Sequence, residues 1–188
     1  LLNLTYLDES FKSFEEILVK IISSHEKVLK IRFCDYFLEA ARDFENSTCV
    51  IYENERLTYR QFLQACELLL RHFKTKKITC LAVYLEKSLE YILVLMTSVL
   101  LGIPFSIIDK RYSEDVQRRV IETCEADFLF TDGDDFEIRE KFEFHDLTQL
   151  LEKARNSEME TSQILEIIQN FRSQRNSEVC FFDWTTGT

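Results

Sequence analysis

Apolar residues recur along this chain in two rhythms, one with helical spacing and one in short continuous runs. Phe11, Phe14, Ile17, Leu18, Ile21 and Ile22 fall on one helical face between residues 10 and 24, which predicts an amphipathic helix. The polar run Ser23-Ser24-His25-Glu26-Lys27 breaks that pattern and reads as a linker. A second helix is expected with Phe33, Phe37, Ala40, Ala41 and Phe44 on one face. Thr48–Tyr52 then reads as a strand and Glu53–Arg56 as a turn. Thr58-Tyr59-Arg60-Gln61 has the capping-box pattern, in which the threonine hydroxyl and the glutamine amide each satisfy an N–H of the helix end. It should open a helix through Phe73, buried on Phe62, Ala65, Cys66, Leu69, Leu70 and Phe73.

From residue 78 the two rhythms alternate. Ile78–Tyr84 is a continuous apolar run of the kind found in parallel strands covered on both faces. Ser88 can cap a nearly all-apolar helix that ends at Gly102. Phe105–Asp109 is the next strand, Glu114–Cys124 a charged amphipathic helix and Phe128–Thr131 another strand. Strand–helix–strand–helix–strand is the order of an α/β fold, here a mostly parallel sheet flanked by helices and preceded by a helical linker. Residues 132–177 are more polar, with Glu137–Glu143 read as a solvated loop face or helix start and Asp146 and Thr161 as starts of short helices. Val179 returns the chain to the sheet.

Composition narrows the class. A chain of 188 residues can bury one sizeable core, or one domain and part of another. With 46% hydrophobic and 30% charged residues it is globular rather than disordered. A net charge of −10 excludes a general nucleic-acid or anionic-membrane surface, since both reward clustered Lys and Arg. The longest apolar stretch, Tyr91–Phe105, breaks at Gly102 and Pro104 and falls short of the ~18 residues of a membrane span. No basic segment leads into an apolar run, so no signal peptide is read. Six scattered cysteines without C-x-x-C or nearby histidines read as reduced, mostly buried thiols in a cytoplasmic protein with no metal site.

The chemistry concentrates at the end of the sequence. Val179-Cys180-Phe181-Phe182-Asp183-Trp184 reads as a buried strand that runs into Thr185-Thr186-Gly187-Thr188. Hydroxyls, backbone N–H groups and a glycine after a buried strand are the parts of a phosphate-cradling loop. The plainer reading of the same four residues is an ordinary strand-ending turn. The abrupt stop makes the chain read as a piece of a larger nucleotide-using protein, cut inside its phosphate site. Three glycines and one proline are few against the usual shares of about 7% and 5%, so either the glycine-rich parts are expected beyond residue 188 or the site is degenerate.

Other candidates weigh less. Asp109 is an acid at a strand's C-terminal end, where α/β sites lie, but capping the turn before Tyr112 is the simpler role. His25, His72 and His145 share no motif, and His72 reads as a partly packed surface residue. Cys180 reads as strand interior and Trp184 as core.

Taken in order, these segments resemble the adenylate-forming enzymes, most of all the adenylation domains of nonribosomal peptide synthetases. Glu55-Arg56-Leu57-Thr58-Tyr59-Arg60-Gln61-Phe62 is similar to that family's ERLTYREL segment, and Leu81 to Glu90 to its VAICLERSLE segment. Val99 to Tyr112 aligns without a gap to LKAGGAYVPLDPSY, matching at Gly102, Phe105, Asp109 and Tyr112. Ala126–Thr131 stands where the family has AKLLLT, and Val179–Thr188 where it has AYVIYTSGT. Residues 1–27, with Leu4-Thr5-Tyr6-Leu7-Asp8-Glu9-Ser10-Phe11 before a helix, are similar to the closing stretch of a condensation domain, though a leader from another upstream domain would read alike.

The resemblance implies two parts: residues 1–27 as linker or tail of an upstream domain, and 28–188 as the N-terminal part of an adenylation domain, a partial large subdomain truncated in its phosphate loop. It implies ATP with Mg2+, an amino-acid or other carboxylic-acid substrate, and an aminoacyl- or acyl-adenylate product. The acceptor would be a phosphopantetheine thiol on a carrier domain, with carrier and condensation domains in the same chain, or coenzyme A. Thr185, Thr186, Gly187 and Thr188 would contact the β- and γ-phosphates, with the catalytic residues beyond residue 188. A free-standing acyl-CoA or amino-acid-activating ligase and a non-catalytic scaffold are the alternatives. Departures from the family are Thr186 for serine, Trp184 for tyrosine, Ile103 for the second glycine of a pair, and Pro104 after it.

Overall fold

The computed structural model describes residues 28–133, 136, 141–174 and 181–182. The helix expected at 10–24, the linker after it, Val179, Cys180 and Trp184 lie outside the described residues.

Helix α1 (Val28–Asp43) leads into a two-stranded antiparallel hairpin, β1 (Thr48–Tyr52) and β2 (Glu55–Thr58). The expected turn at Glu53–Arg56 is therefore shorter than its sequence suggests. The reversal is made at Glu53 and Asn54, with Glu53 at φ 51°, and Tyr52 pairs with Glu55 across it. Only Leu57 of β2 is buried, so the strand carries too little apolar signal to read from sequence. The face expected on α1 is also adjusted. Cys34, Phe37, Leu38 and Ala41 are buried, while Phe44 follows the end of the helix and is 51% exposed.

The capping box at Thr58 is present. The Gln61 N–H donates to Thr58 Oγ1 at 3.2 Å and the Thr58 N–H to Gln61 Oε1 at 3.0 Å. It opens α2 (Tyr59–Lys76), whose Phe62, Ala65, Cys66, Leu69, Leu70 and Phe73 are all buried. Then come β3 (Leu81–Tyr84), α3 (Leu89–Leu101), β4 (Phe105–Ile107), α4 (Glu114–Thr123), β5 (Phe128–Thr131), β6 (Lys141–Glu143), α5 (Phe144–Arg155), α6 (Thr161–Ser173) and β7 (Phe181–Phe182). The strand expected from Ile78 starts at Leu81, because the Thr79 and Cys80 N–H groups donate to the Asp127 carboxylate instead of a neighbouring strand.

Five strands form one parallel sheet in the order β6-β5-β3-β4-β7. Leu81, Val83, Phe105, Phe128 and Phe130 face a large core shared with α1, α2, α3, α5 and α6. Ala82, Ile108 and Leu129 face a smaller core with Val120 and Ile121 of α4. Alternate strand residues thus serve opposite layers. Of the run Glu137–Glu143, expected as a solvated loop or helix start, residues 137–140 lie outside the described residues, and Lys141–Glu143 corrects the expectation as a short charged strand beside β5, at the edge of the sheet among the described residues. α5 and α6 begin at Phe144 and Thr161, so Asp146 lies in a first turn and Thr161 opens its helix.

All 13 residues of α3 are buried, the state of a helix that is apolar all round. Two of its hydroxyls are satisfied by near neighbours: Thr97 Oγ1 meets Cys66 Sγ at 3.0 Å, and Ser98 Oγ donates to the Val94 carbonyl at 2.7 Å. Ser88 caps it by accepting from the Tyr91 N–H at 3.1 Å. At its other end the Ile103 N–H reaches Ser98 O at 2.9 Å and the Gly102 N–H reaches Val99 O at 3.2 Å, a Schellman pair. Gly102 holds φ +64°, and a Cβ there would meet nothing within 4 Å. Gly102→Ala is therefore expected to cost only the left-handed backbone energy, about 1–2 kcal/mol in urea unfolding. An unchanged midpoint would show that the helix end does not depend on this conformation.

Candidate functional site

In a parallel sheet every strand ends on the same edge, and α/β sites form there, where successive connections leave in opposite directions. Here the chain goes from β3 to β4 on one side and from β5 to β6 on the other, while β3 and β5 are neighbours. The loops after β3, β4 and β5 supply Glu86, Lys110 and Asp132 to this edge.

Lys110 joins the three loops. Its Nζ lies 2.5 Å from Asp132 Oδ1 and 3.3 Å from Glu86 Oε1, and 4.9 Å from the centroid of the Tyr84 ring. The other Asp132 oxygen accepts the Glu86 N–H at 2.9 Å, and the Asp132 N–H donates to Tyr84 O at 3.3 Å. Tyr84 is braced edge-on by Phe136 at 4.9 Å. Burial alone would lower the Lys110 pKa, but the bonded carboxylates of Asp132 and Glu86 outweigh it and hold the ammonium above the ordinary lysine value.

Asp109 stands just past the end of β4 and has the capping role that its position suggests. Its Oδ1 accepts the Arg111 N–H at 2.8 Å, and its carboxylate pairs with the Arg111 guanidinium, Nε to both oxygens at 3.0 Å. The Tyr112 N–H closes the turn on Asp109 O at 3.1 Å. The hydrogen bond from Arg111 holds the Asp109 carboxyl below its usual pKa. Buried Gln117 fastens the turn from α4, its amide donating to Tyr112 O at 2.9 Å and Lys110 O at 3.3 Å. After β5, Thr131 Oγ1 accepts the Gly133 N–H at 3.0 Å and bonds back to the Gly133 carbonyl, closing a local hydroxyl turn.

β7 runs parallel to β4, with Phe181 opposite Phe105 and Phe182 opposite Ser106, so it points to this same edge. Thr185, Thr186, Gly187 and Thr188 lie outside the described residues. His72 is far from any such chemistry: it packs edge-on against Phe142 at 4.9 Å and Phe128 at 5.6 Å. His145 on α5 bonds Gln149 at 2.7 Å. A cavity of about 360 Å³ bordered by Arg42, Glu45, Glu160, Thr161 and Glu166 lies on α1 and α6, not at the strand ends. Among the described residues no group of three or more His, Cys, Asp or Glu is placed to hold a metal ion, and no helix is long and apolar enough to cross a membrane. The Glu86–Lys110–Asp132 cluster escaped sequence reasoning. Its signal was a charged residue within three positions of the end of each of three buried strands.

A parallel α/β body with its candidate chemistry at the strand ends is a nucleotide-type fold, and comparison identifies the family. Residues 37–188 match the AMP-binding enzyme family, and the chain belongs to it. Bacitracin synthase 3 of Bacillus licheniformis is 26% identical over 102 residues, which are 53% of this chain and 2% of that protein. An artificially fused adenylation–PCP di-domain, NpsA-ThdA from Klebsiella oxytoca, superposes with TM-score 0.56 at 17% identity, over 68% of this chain and 25% of that one. O-Succinylbenzoate coenzyme A synthetase (MenE) from Bacillus subtilis, in complex with AMP, does so with TM-score 0.52 at 18% identity, over 62% and 32%. These structures share the fold, and this chain spans a minor part of each relative's length.

Two outcomes check the site's geometry. In a double-mutant cycle of Lys110→Met and Asp132→Asn, urea unfolding should show a coupling of about 1 kcal/mol, and strict additivity would deny the bond between the loops. Asp109 has a depressed folded pKa, so its stabilisation is present above the unfolded carboxylate value of about 3.9 and is lost as pH falls through the folded one. Asp109→Asn should then be less stable at neutral pH by at most about 1 kcal/mol, because the pair is solvent-screened. The difference should vanish in strong acid; a difference that persists there contradicts the ion pair.

Proposed function

We propose that the chain is the first part of an ATP-dependent carboxylate-activating enzyme of the nonribosomal peptide synthetase type. The observation that carries this reading is the family match reaching through Thr185-Thr186-Gly187-Thr188, on a sheet whose strand β7 points to the edge held by Lys110. The domain reading is part of the same proposal: residues 1–27 as linker or tail of an upstream domain and 28–188 as the start of the adenylation domain.

The donor set at residues 185–188 suits a polyphosphate. Three threonine hydroxyls and successive backbone N–H groups can donate to phosphate oxygens, and Gly187 leaves room for the backbone to come close. ATP, with Mg2+ as its counter-ion, supplies the α-phosphate that a substrate carboxylate attacks as pyrophosphate leaves. The chain's own part is to hold the β- and γ-phosphates and to stabilise charge as it moves onto the leaving group, work that is mainly positioning and electrostatics. The β-branch of Thr186 narrows its rotamers while keeping the hydroxyl donor of the family's serine. The activated acid, an amino acid or another carboxylic acid, would pass to a phosphopantetheine thiol on a carrier domain.

A second reading keeps the activation step and changes the acceptor to coenzyme A. The fold likeness to a coenzyme A synthetase favours it, whereas the identity to bacitracin synthase 3 favours the peptide-synthetase acceptor.

Carboxylate-dependent ATP–pyrophosphate exchange tests the proposal. The 188-residue chain alone should be inactive, and the longer protein that carries it should exchange. In that protein Thr186→Ala should lower kcat/KM by about a hundredfold, and Thr186→Ser should retain most of it. Exchange by the 188 residues alone, or no loss in Thr186→Ala, would contradict the assigned loop. No exchange by the longer protein with any acid of a broad panel would instead support a non-catalytic scaffold.

A further inference from the structure

Helix α1 carries more apolar surface than its described neighbours cover. At about 100° per residue, Cys34, Phe37, Leu38 and Ala41 fall in one arc, and Tyr36, Ala40 and Phe44 continue it to about 200° in all. The Phe44 N–H donates to Ala40 O at 2.8 Å, so this ring keeps a helical bearing although it lies one residue past α1. Asp35, Glu39, Arg42 and Asp43 fill the remaining arc. A helix packed on one side needs an apolar stripe of only about 100°.

The two halves of the apolar arc fare differently. Cys34, Phe37, Leu38 and Ala41 are buried in the large core, where Phe37 meets Tyr59 at 5.3 Å and Phe62 at 5.4 Å. Tyr36 and Phe44 are 66% and 51% exposed. Helix α6 does not cover them, because it lies along the charged arc, where Arg172 pairs with Asp35 at 3.5 Å.

We propose that the amphipathic segment 10–24 of this same chain folds back on α1 as an antiparallel helix and covers Tyr36, Ala40 and Phe44. Apolar content, reach and length select this occupant. Phe11, Phe14, Ile17, Leu18, Ile21 and Ile22 give the segment one apolar face. The polar run Ser23–Lys27 directly precedes α1, and antiparallel helices are joined by loops of about 2–5 residues. A helix over residues 10–24 is about 22 Å long and α1 about 24 Å, so one spans the other. Fold-back sets Phe11 and Phe14 level with Phe44 and Ala40, and Leu18 level with Tyr36. The contact takes both apolar faces out of water together, which is its driving force. It also makes the segment part of the domain rather than a tether, and brings whatever precedes residue 10 to the end of α1 that leads into β1.

Hydrogen–deuterium exchange on the 188-residue chain tests the contact. Residues 10–24 should exchange at least about tenfold slower than the same residues in urea. In the double variant Tyr36→Asp, Phe44→Asp they should return to the unprotected rate, while β3 and α3 keep theirs. Leu18→Asp should release the segment from its other side. Leu18 lies outside the described core, so this variant decides the matter even if the α1 variant fails to fold. Hydroxyl-radical footprinting should find Tyr36 and Phe44 shielded in the parent chain and oxidised faster in Leu18→Asp, with sedimentation velocity showing a monomer throughout. Unprotected residues 10–24 in the parent, protection that survives these substitutions, or Tyr36 and Phe44 reacting there at the full rate would each overturn the proposal. So would shielding that appears only in a dimer, which gives the face to a second copy.

Discussion

Two-sided burial of β3 is the constraint on which this structure depends. A parallel strand at the centre of a sheet has no face left for water, and each residue of β3 must suit the layer it meets. Leu81 and Val83 go to the large core, and Ala82 to the small one under α4. The parallel connections follow from it. α3 must cross one face to reach β4, and α4 the other to reach β5, which puts the two helices in opposite layers. The complete burial of α3 is then a result of position: the sheet covers one side of it, and α1, α2, α5, α6 and β1 cover the rest.

The same topology brings the strand-end charges together. Lys110, Glu86 and Asp132 are far apart in sequence and belong to three different loops. They meet because β3 has β4 on one side and β5 on the other. Beyond the strand starts, Asp127 does similar work by binding the Thr79 and Cys80 backbone, so polar straps fasten both edges of a sheet whose middle is held by apolar contact. The two straps differ in consequence. The strand-end strap frames the edge to which β7 points, whereas the strand-start strap ties the turn after α4 to the residues leading into β3.

What could be read from sequence follows the strength of the local apolar signal. β3, β4 and β5 are continuous runs, and α2 and α3 carry their caps in the letters Thr58-Gln61, Ser88 and Gly102, so these elements were legible with only their ends adjusted. β2 and β6 were not. One buries only Leu57, the other is Lys141-Phe142-Glu143, and both exist because a partner strand lies alongside. Phe44 was assigned to a helical face that ends one residue before it. Thr185-Thr186-Gly187-Thr188 is a candidate from residue types alone, and it lies outside the described residues. The Lys110 cluster depends on strand order: the sequence places a charged residue just past each of three strands, but which of them meet is decided by the sheet.

Membership in the AMP-binding enzyme family joins these observations, and the proposed function puts the nucleotide after β7, at the strand-end edge of the parallel body. The most direct measurement of that claim is hydrogen–deuterium exchange on the longer protein with and without ATP. Slowed exchange is predicted at residues 183–188 and in the loops after β3, β4 and β5, with no change in the β1–β2 hairpin. Unchanged exchange at residues 183–188 in ATP-saturated protein would contradict it.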